Sequence, residues 1–141
     1  MTPRNPDFVT DIAASFARQA ALATIGAQLG EVAPGRCVVR LAVTDAVRQH
    51  HGFVHGGIVG MIGDVAGGYA AMSLFDPGKE VLTLEYKINF LRPATGHTLI
   101  ATGEVVRAGR SVTVTRAEVV AIDDDGVASV CAILQQSSMS G

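Results

Sequence analysis

The residues best suited to chemistry lie in one stretch, Gln49 to Phe75, reading QHHGFVHGGIVGMIGDVAGGYAAMSLF. Between His55 and Asp76 the only charged residue is Asp64. A lone carboxylate in so apolar a run must be paired, hydrated or protonated, because an isolated buried charge is very costly. An acid of that kind can activate a water or attack a carbonyl. Gly56 and Gly57 supply a second kind of chemistry. At a helix start their N–H groups are unpaired and lie at the positive end of the dipole. With no side chain in the way, a ligand carbonyl oxygen can reach them, and such donors stabilise a developing oxyanion. Taken alone, Asp64 fits a structural carboxylate capped by N–H groups as well as a functional acid.

Spacing constrains how these groups work. Asp64 lies eight residues beyond Gly56, about 12 Å along a helix. A base must sit within about 3 Å of the water or atom it activates. The two groups therefore cannot serve one carbonyl from a single helix. If both belong to one reaction, antiparallel helices from two subunits must bring one chain's Gly56 to the other's Asp64, and a dimer is expected. His50, His51 and His55 invite a metal reading, but no carboxylate or cysteine lies nearby at ligand spacing, so no metal is expected.

The elements around this stretch follow from periodicity. Asn5-Pro6 reads as a helix start, with Phe8, Ile12, Phe16 and Ala20 at helical spacing. Ala23–Val32 and Arg36–Val43 alternate as strands joined at Ala33-Pro34-Gly35, a hairpin. Residues 56–75 form a long helix, apolar nearly all round and so buried on nearly all sides. On its wheel Gly57, Gly60, Asp64, Gly67 and Ala71 make a stripe that another backbone can approach, and a second subunit is the natural cover for the side away from the sheet. After Asp76-Pro77-Gly78 come four strands: 81–91, 98–107, 111–122 and 127–134. In the first, Leu82, Leu84, Tyr86, Ile88 and Phe90 make the apolar face. Thr83 falls on the other face, so bringing it to the helix requires a bulge, a strong twist or an edge position. Asp123-Asp124-Asp125-Gly126 reads as a solvated hairpin turn, since it lacks a full calcium ligand set.

The result is an α+β chain of one domain, residues 1–141, with 1–5 and 136–141 expected to fray. Only 17% of residues are charged, the net charge is −2, and no Lys/Arg cluster exists to read phosphate backbones, so no nucleic-acid partner is expected. Six glycines and Asp64 argue against a membrane span over 56–75. MTPRNPDFVTD has no apolar core of signal-peptide length, and Cys37 and Cys131 sit in apolar strand contexts as buried free thiols would. A cytoplasmic location is expected.

One pattern covers most of the chain. Gln49, five residues, His55-Gly56-Gly57, and Asp64 nine residues after the histidine are followed by LTLEYKINFLRPATG (82–96) and Gly109-Arg110-Ser111. This resembles the hotdog-fold acyl-CoA thioesterases of the PaaI-like group over roughly residues 23–135. The resemblance implies an antiparallel sheet of about six strands wrapped around the long helix, with an N-terminal helix, in a homodimer or dimer of dimers. It implies hydrolysis of an acyl-CoA thioester with no cofactor, CoA being part of the substrate. The Gly56 N–H would polarise the carbonyl, and Asp64 of the other subunit would be general base or nucleophile. Gln49 would orient substrate or water, His55 would support that loop or the thioester, and Thr83 would help place the water. Gly57, Arg92, Arg110 and Ser111 would contact substrate, the last three along the CoA arm, although solvated loop charges explain both arginines as simply. Some related thioesterases carry a hydroxyl four residues after the acid, where this chain has Gly68. A hotdog dehydratase or hydratase, or an acyl-CoA-binding module without turnover, are the alternatives.

Overall fold

Alternating apolar side chains build six strands, and one glycine-rich helix fills the space they enclose. The computed structural model describes all 141 residues. Its elements are α1 (Phe8–Arg18), α2 (Ala20–Ile25), β1 (Ala27–Ala33), β2 (Arg36–Ala42), α3 (Gly56–Met72), β3 (Val81–Phe90), β4 (Thr98–Ala108), β5 (Thr113–Ile122) and β6 (Ala128–Ser140). The strands form one antiparallel sheet in the order β1-β2-β4-β5-β6-β3. It curls around α3, which packs against β2 to β6. This is the hotdog architecture.

The core lies between α3 and the concave sheet face, and Ile62, Leu41, Leu99, Ala101 and Val119 within it are all fully buried. The helix sits deep because the sheet offers small residues under it. A Cβ on Gly103 of β4 would lie 2.4 Å from the carbonyl carbon and oxygen of Ala66. Backbone cannot rotate out of the way as a side chain can, so the site requires glycine. The backbone approach foreseen for the helix is thus made by β4, at Ala66 and Gly67. The glycines divide differently from the expected stripe. A Cβ on Gly56, Gly60 or Gly68 would face Phe90, Tyr86 or Val81 of β3, whereas Gly63 and Gly67 face β5 and β6.

Four expectations are corrected. Helix α1 starts at Phe8 rather than Asn5-Pro6, because Asn5 turns back: its Oδ1 accepts from the Asp7 N–H at 2.9 Å and its Nδ2 donates to Asp11 at 2.8 Å. Ala23–Ile25 is helical, not strand; α2 ends at Gly26, whose φ of 77° is the left-handed helix stop. The N-terminus is tied down at Arg4, which donates to the Leu74 carbonyl and pairs with Asp76 at 3.3 Å. Residues 136–140, expected to fray, are the last part of β6 and pair with β3 and β5.

In β3 the register slips between Thr83 and Glu85. An extra residue in one strand inverts the side-chain phase beyond it. Val81 and Thr83 therefore face the helix on one side of the slip, and Tyr86, Ile88 and Phe90 face it on the other. Leu82 and Leu84, expected on the apolar face, point outward and are more than half exposed. The bulge that Thr83 needed is present, on an edge strand.

Candidate active site

Two polar sites lie along α3, one at each half of the helix. The first is its N-terminus. His55 is the N-cap, and its Nδ1 accepts from the Gly57 N–H at 2.8 Å. The carbonyl of His55 accepts from Ile58 and Val59. Gly57, offered as a substrate contact, has its N–H occupied by the cap, while the Gly56 N–H has no partner in the chain. Gly56 opens on a cavity of about 360 Å³ lined by Gln49, Phe53, Val59, Phe90 and Arg92 among others. The approach is pinned on both sides: Val54 N–H donates to Ala94 and His55 N–H to Val47, each at 2.9 Å. Gln49 Oε1 accepts from the His51 N–H, so its amide NH₂ is the end free for a ligand.

The second site is the acid. Asp64 is half-buried, and Thr83 Oγ1 donates to its Oδ1 at 2.7 Å. Gln136 of β6 reaches the same oxygen through Nε2, which also lies 3.1 Å from the Asp64 carbonyl and 3.2 Å from Thr83 Oγ1. Both side-chain bonds converge on Oδ1; Oδ2 has no partner in the chain. Burial pushes the Asp64 carboxyl above its ordinary 3.8, against the opposing pull of the Thr83 and Gln136 hydrogen bonds. A carboxyl with a raised pKa is a better general base once ionised. Beside it is a cavity of about 140 Å³ shared with Gln19, Gly68 and Val81.

The family model for the thioesterase superfamily matches residues 51–128, from the loop before α3 to the start of β6. The chain belongs to the thioesterase superfamily. A thioesterase family protein of Silicibacter pomeroyi has the same structure at TM-score 0.92, with 40% identity over 94% of this chain and 97% of that one. Escherichia coli PaaI, from the phenylacetic acid degradation operon, superposes at TM-score 0.82 with 25% identity over 94% and 92% of the two chains. Among characterised sequences, the 1,4-dihydroxy-2-naphthoyl-CoA hydrolase of Listeria monocytogenes is 33% identical over 91 residues, 64% of this chain and 74% of that protein. Membership of this superfamily supports thioester hydrolysis as the chemistry.

On this thioesterase fold the remaining candidate residues separate. Gln49, Gly56 and Arg92 share the larger cavity; Thr83 joins Asp64. Arg110 and Ser111 are exposed in the β4–β5 turn and touch neither site within the chain; Arg110 lines a different surface cavity with Arg4 and Leu74. His50 and His51 stack on each other at 4.0 Å, in the open. Cys37 and Cys131 are buried free thiols, with burial pushing Cys37 up to about 12. No helix is long and apolar enough to cross a membrane. Sequence reasoning missed Gln136. Its signal was available: it continues the inward alternation Ala132, Leu134 into a segment whose polarity suggested fraying.

Proposed function

We propose that the protein hydrolyses an acyl-CoA thioester at sites completed by a second copy of the chain. The observation that carries this reading is the partition of α3: an unpartnered N–H at Gly56 beside one cavity, and a basic carboxylate at Asp64 beside another, about 12 Å apart along the helix axis. Strand β3 supplies the joint. It is an edge strand with Leu82, Leu84, Tyr86 and Phe90 exposed, the kind of edge that pairs with another chain. Within the chain Phe90 lies against Gly56, and Thr83 against Asp64. Antiparallel pairing of two β3 strands about a centre between Tyr86 and Lys87 sets Thr83 opposite Phe90 of the second copy. Adjacent strands lie about 4.8 Å apart. The acid of one chain then lies beside the helix start of the other, much nearer than the two are within one chain.

In that site the thioester carbonyl oxygen accepts from the Gly56 N–H, which strengthens as the oxygen becomes an oxyanion. Asp64 Oδ2 of the other copy takes a proton from water, and the water oxygen attacks the carbonyl carbon. The tetrahedral intermediate collapses, expelling the CoA thiolate, which takes the proton from Asp64 to give free CoA, and leaving the carboxylic acid. The free NH₂ of Gln49 orients substrate, and Thr83 holds the base. Arg92, on the rim of the Gly56 cavity, is available to the phosphates of the CoA arm; Arg110 and Ser111 are available to the same arm only from the β4–β5 turn. Dimers pairing again into tetramers, and a cytoplasmic location, are consistent with this reading. Because the Listeria relative acts on an aryl-CoA, aromatic acyl thioesters head the substrate panel.

The test is Asp64→Asn against a panel of aryl- and alkyl-CoA thioesters, reading free thiol and, separately, substrate binding. Hydrolysis lost with binding retained supports the mechanism. Unchanged thiol release from every substrate the wild type cleaves defeats it. Binding in the wild type without turnover of any thioester favours a binding module.

A further inference from the structure

Behind Asp64 the sheet changes character. The inward residues of β5 and β6 are apolar along most of their length, as Ala117, Val119 and Leu134 show. At the end beneath Asp64 they become Thr113, Thr115, Gln136 and Ser138, all buried. A buried polar patch is costly unless its groups are satisfied, so its placement calls for a reason. Thr115 Oγ1 donates to Gln136 Oε1 at 2.9 Å, which fixes the amide with its NH₂ turned to Asp64. The helix makes room for this pair. A Cβ on Gly67 would lie 2.7 Å from Gln136 Oε1 and 2.8 Å from Thr115 Oγ1.

We propose that Gln136, oriented by Thr115 and admitted by Gly67, is a positioning residue that holds Asp64 by Oδ1 and leaves Oδ2 to take the proton from the hydrolytic water. This rests on the reading of Asp64 as the base. Gln136 itself touches no reacting atom. Its amide donors favour the ionised carboxylate and resist the desolvation that favours the neutral acid. The groups facing Asp64 within the chain are Thr83 from β3, Gln136 from β6, and Gln19 and Tyr69, which line the small cavity beside it. None is a carboxylate or a cationic side chain. Hydrogen bonding is therefore the chain's main means of keeping Asp64 ionised.

The experiment compares Gln136→Met, which keeps the length of the side chain and loses the donor, with Thr115→Val, which keeps shape and loses the orienting hydroxyl. Asp64→Asn runs in parallel, and all are checked for folding by thermal melts. The readouts are kcat, KM and the acidic limb of kcat/KM against pH. Gln136→Met is expected to lower kcat about tenfold or more at pH 7 with KM within about threefold. It should also move the acidic limb upward by roughly one pH unit or more, the scale of a lost hydrogen bond to a charged group. Thr115→Val is expected to move the limb in the same direction by less. A merely structural role would scale activity with folded protein and leave the limb in place. Folded variants whose limbs coincide with the wild type overturn the proposal; should Gln136→Met fail to fold, Thr115→Val decides alone by the same criterion. Hydrolysis surviving in Asp64→Asn would instead remove the reading on which the proposal rests.

Discussion

The Gly56 N–H can be deleted without deleting the helix start. Proline is favoured at the first helical position, where it lacks only an N–H that the helix does not use. It requires the preceding residue to be extended, and His55, at φ −58° and ψ 134°, already is. Gly56→Pro therefore removes the proposed oxyanion donor while leaving the cap geometry intact. Its Cβ would meet Phe90 Cζ at 3.1 Å, a tight contact with the far end of a side chain. Gly56→Ala adds the same Cβ and keeps the N–H, so the ratio of the two variants reports the lost hydrogen bond together with the ring carbon that takes the place of its hydrogen. Loss of one oxyanion donor costs about 10²–10³ in kcat, or about 2.7–4 kcal/mol of transition-state stabilisation. Gly56→Pro is thus expected to fall below Gly56→Ala by that factor, with little difference in KM, in a thiol-release assay on the best thioester substrate. A Gly56→Pro protein that melts with Gly56→Ala and keeps kcat within about threefold of it would refute the role of this N–H.

Three further outcomes are expected. The native Asp64 carboxyl is raised above its ordinary 3.8, so the folded state binds more protons than the unfolded state just above that pH, and stability falls as pH rises through this window. Asp64→Asn should therefore melt above the wild type at pH 7.5, with the difference shrinking toward pH 4; a pH-independent difference, or a lower melting point at pH 7.5, would contradict the shift. His55→Ala leaves the Gly57 N–H without its cap and should cost about 1 kcal/mol in urea unfolding, with a smaller loss of kcat than Gly56→Pro; unchanged stability would show the cap to be idle. Gly103→Ala drives a methyl into the backbone at Ala66 and should destabilise by about 3 kcal/mol, the upper end of overpacking penalties, or prevent folding; a melting point within a degree or two of wild type would mean that the helix can lift from the sheet.

How much could be read from sequence depended on whether the signal was local. The separation of Gly56 from Asp64 needed only helix rise, and the structure does carry both residues on one helix, Gly56–Met72. The difficulty at Thr83 was also legible, because strict alternation put it on the wrong face. What alternation could not supply was the register slip before Glu85, which depends on pairing with β6. The helix of Ala23–Ile25 was hidden by accidental alternation, with Gly26 the missed stop. Gln136 was lost for a different reason. Strand reading looks for apolar residues on the buried face, and β6 is polar on that face where it supports an acid. Polar residues in place of apolar ones erased the pattern beneath Asp64.

The measurement that bears most directly on a site shared between two chains is complementation. Asp64→Asn and Gly56→Pro proteins, each inactive alone, are unfolded, mixed in equal amounts and refolded together. In a two-fold dimer, half of the products are mixed, and each mixed dimer has one doubly defective site and one intact site. Recovery of about a quarter of wild-type activity is the predicted result. Mixed dimers that form in full, shown by differently tagged chains, and remain as inactive as either parent would mean that Gly56 of one chain and Asp64 of the other do not work together, and would contradict the account.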